Sequence, residues 1–146
     1  MTLTHRGELR GCIGLSEAVH PLHQTVSHCA IAAATEDPRF VSVRPLELAE
    51  IRVSISVLSP LEKLPSPEHI EIGRHGLMVR RAGRRGLLLP QVAVEQRWDR
   101  FTFLRQTARK AGLAPEDWQA EGTEVFVFEA EVFSELAPPE PSSSSE

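Results

Sequence analysis

Cys12 stands in the stretch LRGCIG, two residues after Arg10 and close to both Gly11 and Gly14. On an extended strand successive side chains alternate, so Arg10 and Cys12 are expected to share one face. A guanidinium near a thiol favours the thiolate, and glycines beside a cysteine leave the backbone open to close approach by a ligand. The chemistry this points to is a thiolate nucleophile, or a thiol that holds a substrate. The competing reading is a small buried residue of a core strand. His75, in IGRHGL, is the best base or hydrogen-bond partner for the thiol, although a histidine between Arg74 and Gly76 also suits a turn. Arg10, His75 and Gln91 are the residues expected to line the thiol's pocket, and no Ser/His/Asp spacing supports a hydrolase triad.

Other candidates are weaker. Asp37 and Arg39, on either side of Pro38, could anchor a ligand or form a local ion pair or cap. Arg84 and Arg85 lie in an arginine-rich hairpin that could meet an anion or simply face solvent. That stretch has no Phe, Trp or Tyr from Arg74 to Arg85, which argues against an RNA module of the base-stacking type. His20 and His23 flank Pro21 at a helix start, and Cys12 and Cys29 are too few and too far apart for a structural zinc site. No metal and no cofactor is expected in this chain. Gly83 to Gly86 lacks the pattern of a phosphate loop.

The elements that must position these residues follow from periodicity. Leu3 and the strand from Leu9 to Ile13 flank His5-Arg6-Gly7-Glu8, a hairpin turn. A helix is predicted from Pro21 to about Thr35, with Leu22, Val26, Cys29, Ala30 and Ala33 on its buried stripe, ending before Asp37-Pro38. Ile51, Val53, Ile55 and Val57 alternate with polar residues as a strand. A second hairpin is predicted around Ala82-Gly83-Arg84-Arg85, with Pro90 stopping its second strand. A helix from Asp99 to Ala111, capped by Asp99 and stopped by Gly112, precedes a last strand from Glu124 to Phe133. No internal repeat is found. Strands and helices interleave without a βαβ rhythm, which predicts an α+β fold, a mainly antiparallel sheet with packed helices. APPEPSSSSE, residues 137–146, reads as a disordered tail.

The 146 residues suffice for one domain with a real core, and 41% hydrophobic against 25% charged residues is ordinary for a globular protein. No apolar run approaches a membrane span, and the N-terminus lacks the apolar core of a signal peptide, so the cytoplasm is expected. Both cysteines are then free thiols, with Cys29 a core residue. The net charge of −4 hides a segregation: residues 74–110 hold ten of the sixteen basic residues, and residues 111–146 hold nine acids and no base. Either the two segments pack together and neutralise one another, or the first presents an anion-binding surface.

Several segments together resemble the AMMECR domain family, whose bacterial and archaeal members are called AmmeMemoRadiSam system protein A. They are GELRGCIG, AAATEDPRF, SISVLSP, IGRHGL, GRRGLLLPQV, KAGL and EVFVFEAEVF, collinear from the first residue to about Phe133. The resemblance implies an α+β fold in residues 1–136 and a cleft exposing the LRGCIG strand. It also implies partners that include a radical-SAM protein, which would carry any iron–sulfur cluster, and a Memo-like protein. A role in RNA modification has been guessed for the family. Members carry a helical stretch ahead of the strand that begins here at Met1, so this chain is expected to lack it. Two functions fit: an enzyme or enzyme component using Cys12 on RNA or a small molecule, and a non-catalytic module binding protein or RNA through the cleft and the arginine-rich hairpin.

Overall fold

A computed structural model describes residues 1–135; the proline- and serine-rich stretch 137–146 lies outside them. The fold is α+β and built of antiparallel sheet, but the strands form two four-stranded sheets rather than one. Among the described residues the chain divides into two compact units, Met1–Ser56 with residues 132–135, and Val57–Glu131; the second sheet lies within the latter and the first is built mainly in the former. Among the described residues no helix is long and apolar enough to cross a membrane.

In the first unit β1 (Thr2–His5) and β2 (Glu8–Cys12) form a hairpin. Its two turn residues, Arg6 and Gly7, both have positive φ, which matches the twist of the strands they join. The sheet runs in the order β2, β1, β3 (Ile51–Leu58), β8 (Ala130–Ser134). Helix α1 (Leu22–Thr35) packs against the hairpin through Cys29, Ala32 and Ala33, and Leu3, Ala33 and Ile51 form the core. The predicted apolar stripe is therefore only half right, because Leu22 is exposed. The physical reason lies at Gly11: a Cβ there would come within 2.0 Å of the Ala33 carbonyl oxygen. The helix is seated by its small-residue C-terminal half on a strand with no side chain in the way.

The second unit repeats this device. Strands β5 (Gly76–Arg81) and β6 (Arg84–Leu88) form a hairpin whose turn residues, Ala82 and Gly83, again have positive φ. Its sheet runs β4 (Glu62–Lys63), β7 (Glu124–Phe128), β5, β6. A Cβ on Gly86 would meet the Ala111 backbone nitrogen at 2.2 Å, at the C-terminal end of α3 (Arg100–Lys110). Asp99 caps α3 as expected, accepting from the Thr102 N–H at 2.7 Å. Ile70, Leu77, Ala93, Phe103, Leu104 and Val127 form the core.

Three local expectations change. Arg84 and Arg85 are strand residues, not turn residues. Pro90 not only stops β6 but opens a short helix, α2 (Pro90–Glu95), as a first-turn proline can. The run from Glu124 to Phe133 is two strands in two sheets. At the break, Glu129 donates its N–H to Ser59 Oγ and accepts from the Ser59 N–H, both at 2.8 Å.

Candidate functional site

Cys12 ends β2 as an exposed thiol. Its Sγ lies 3.5 Å from Thr2 Oγ1 on the paired strand. Its N–H points away from the sheet and donates to Asp37 Oδ2 at 2.9 Å. Asp37 follows the end of α1, so one carboxylate ties the free edge of the sheet to the helix terminus. It also accepts from Arg39 three times: from the N–H at 3.1 Å, from Nε at 3.0 Å and from Nη2 at 2.8 Å. The Asp37 side chain is 2% exposed and that of Arg39 54% exposed. The bond to Arg39, helped by the Cys12 N–H, holds the Asp37 carboxyl well below the usual carboxylate range. Arg39 is held above its ordinary value, first by its bond to Asp37. Its guanidinium lies over the Phe40 ring, 5.5 Å from the centroid.

Arg10 does not have the setting its spacing predicts. Leu3 pairs with Gly11 and Thr4 with Leu9, so Arg10 is the extra residue of a β-bulge and strict alternation breaks there. Its guanidinium is occupied by Glu47, at 3.0 and 3.2 Å, and by the carbonyls of Val41 and Ser42 at 2.7 and 3.3 Å. This pair lowers the Glu47 carboxyl to about 2, with a further contribution from the Arg44 N–H. Arg10 thus fastens the loop from Val41 to Glu47, and the arginine that shares a carboxylate with the Cys12 backbone is Arg39. Gly11 is likewise occupied by α1, so its missing side chain admits a helix; Gly14 has open space around its Cα.

In the second unit His75 is 7% exposed. Its Nδ1 accepts from the Glu71 N–H at 3.0 Å, so the neutral ring carries its proton on Nε2. Of the two roles expected of it, base or hydrogen-bond partner, this arrangement fits a ring that donates from Nε2. It stacks on His69, centroids 5.6 Å apart. Arg84 donates to the Gly112 carbonyl at 2.9 Å beyond the end of α3, Arg85 is exposed on β6, and Gln91 lies in the first turn of α2. Arg80 pairs with Glu124 and lies over Phe126, while Arg81 pairs with Asp117.

Of the ten residues singled out in the sequence, the structure gathers Cys12, Asp37 and Arg39 into one cluster. Glu47 and Thr2 were missed. Glu47 could have been noticed as the acid two places after Pro45 in a short helical turn, but nothing in the sequence aims it at Arg10. Among the described residues no cluster of three or more His, Cys, Asp or Glu could hold a metal ion.

Comparison with known proteins finds similar sequences and a similar solved structure. The sequence profile of the AMMECR1 family matches residues 1–133. Protein MK0488 of Methanopyrus kandleri is 51% identical over 141 residues, covering 92% of this chain and 68% of that protein. Protein MJ0810 of Methanocaldococcus jannaschii is 47% identical over 137 residues, covering 90% and 68%. A similar protein of Thermofilum pendens is 46% identical over 139 residues, and there the chain covers 65% of the relative. The chain thus spans about two thirds of the length of these relatives. The crystal structure of uncharacterized protein PH0010 from Pyrococcus horikoshii matches with a TM-score of 0.88 at 41% identity, over 94% of this chain and 72% of that one.

Proposed function

The chain belongs to the AMMECR1 family, and from that premise we propose that it is a thiol-dependent enzyme or enzyme component whose working group is Cys12. The observation that carries this reading is an exposed thiol whose own backbone N–H shares one buried carboxylate, Asp37, with a half-exposed arginine, Arg39. A core cysteine needs neither accessibility nor a neighbouring cation. In this reading the Cys12 sulfur attacks or holds the substrate, and the open side of the Arg39 guanidinium receives the substrate's anionic group. Asp37 is a positioning residue that fixes the Cys12 backbone and the guanidinium together. The substrate is a small molecule or an RNA, and the partners are the radical-SAM and Memo-like proteins that the family resemblance implies. The reading in which the arginine-rich hairpin presents itself to RNA has less support, since Arg80, Arg81 and Arg84 have partners within their own unit.

Alkylation tests it. Cys12 should react with iodoacetamide faster than the buried Cys29, and anionic iodoacetate should gain further on Cys12 because Arg39 attracts it. Arg39→Ala should remove the preference for the anionic reagent. Equal, slow labelling of both cysteines in the folded protein would make Cys12 an ordinary structural residue.

A further inference from the structure

The second unit contains a cleft of about 640 Å³ that is separate from the Cys12 cluster and whose groups are not needed by the thiol. Its floor includes His75, more than nine-tenths buried, with Nδ1 pinned by the Glu71 N–H. Nε2 lies on the other side of the ring. Among the described residues it has no protein partner, yet it is not sealed in, since the buried side-chain polar atom left without a partner there is the Trp118 indole nitrogen. His75 therefore offers a neutral N–H donor to whatever occupies the cleft.

The walls are acidic. Glu62, Glu68, Glu71 and Glu129 line it together with Arg74 and Arg100. Arg74 is shared by Glu71 and Glu129, and Arg100 donates its Nε to the Ile70 carbonyl at 2.7 Å. Glu62 has no ion-pair partner among the described residues. Glu68 is kept charged by its own and the Ser66 hydrogen bonds more than by Arg100. A cleft with surplus carboxylates repels anions, and a neutral donor suits a neutral oxygen better than a carboxylate. Among the described residues no three-ligand cluster for a metal is found there.

We propose that this cleft binds a group in which a protonated amine stands next to an amide carbonyl. The ammonium lies against Glu62 and Glu68, and the carbonyl oxygen accepts from His75 Nε2–H. That chemistry occurs in a free amino-acid amide and at the amino terminus of a peptide. The volume accommodates either.

Calorimetric titration of the whole chain decides it, with glycinamide, triglycine amide, N-acetylglycinamide and glycine as probes. Glycinamide should bind, N-acetylglycinamide should not, and glycine should bind more weakly because of its carboxylate. Triglycine amide binding as tightly as glycinamide marks a peptide terminus as the source, and its exclusion marks a small molecule. The surface pair Glu62→Gln with Glu68→Gln should weaken glycinamide about tenfold or more, as loss of charged hydrogen bonds does. His75→Phe, which keeps a buried ring, should weaken it as well. Absence of glycinamide binding, equal binding of the acetylated probe, or an unchanged affinity in the glutamine pair overturns the proposal. None of these outcomes bears on Cys12 alkylation, so the two readings stand or fall apart.

Discussion

At Asp37 one carboxylate accepts four hydrogen bonds, one from Cys12 and three from Arg39, in a place almost closed to water. Aspartate fits because only an ionised carboxylate can accept so many at once. Asp37→Asn should lower the melting temperature and, by loosening Arg39, reduce the preference of Cys12 for an anionic alkylating agent; an unchanged preference would show that Arg39 needs no anchor. The pH dependence has a definite sign. Asp37 and Glu47 have carboxyls depressed from 3.8 and 4.5, Glu47 to about 2. The stability they contribute is fully present above those ordinary values and disappears as pH falls through the depressed ones. Acid titration followed by circular dichroism should thus show loss of stability below about pH 4.5, and Glu47→Gln should flatten part of it. The sequence named Cys12, Asp37 and Arg39, but it did not show that Arg10 would be taken up by Glu47. A bulge adds one residue without leaving a compositional mark, so Arg10 could not be seen to leave the alternation.

Helices and strands with strong periodicity were legible: α1, α3 and β3 have nearly the bounds their patterns predict. What was hidden is the duplicated hairpin and helix. Counting pairs from each turn, Gly11 faces Leu3 and Gly86 faces Val79, both third from the turn, and a helix end lies on each. In sequence the spacings differ by one, Gly7 to Gly11 against Gly83 to Gly86, because Arg10 is the bulge. A repeat displaced by a single residue does not align. The division of the Glu124–Phe133 run was equally hidden, since apolar alternation continues through Glu129 while the partner strand changes. Gly11→Ala and Gly86→Ala should each cost about 1–3 kcal/mol, since the added methyl meets helix backbone that cannot turn aside. Denaturant melts measure this. Gly14→Ala, where nothing lies within 4 Å, should be nearly neutral.

Over the whole chain, the segregation of charge resolves into pairing between the two segments. Arg74 meets Glu129, Arg80 meets Glu124, Arg81 meets Asp117 and Arg105 meets Glu116. Exposed pairs of this kind contribute about 0–1 kcal/mol each, so raising salt should shift the melting temperature by only a few degrees. All of these pairs fall within residues 57–131, and so does the double hydrogen bond between Ser59 and Glu129 that holds the two ends of that segment together. The segment 57–131 alone should accordingly melt cooperatively; a spectrum without tertiary signals would show that it depends on the rest.

The interruption of the first unit by the second also sets an order of events on the ribosome. Strands β1, β2 and β3 and helix α1 emerge early, but their sheet waits for β8, whose residues from Val132 onward are made only after the whole of 57–131. Until then β3 offers an open edge, while the segment made in between already has all its strands. The later-made unit is therefore the first that can close, and the nascent chain must keep its older, thiol-bearing half unfinished until synthesis has passed beyond Glu131.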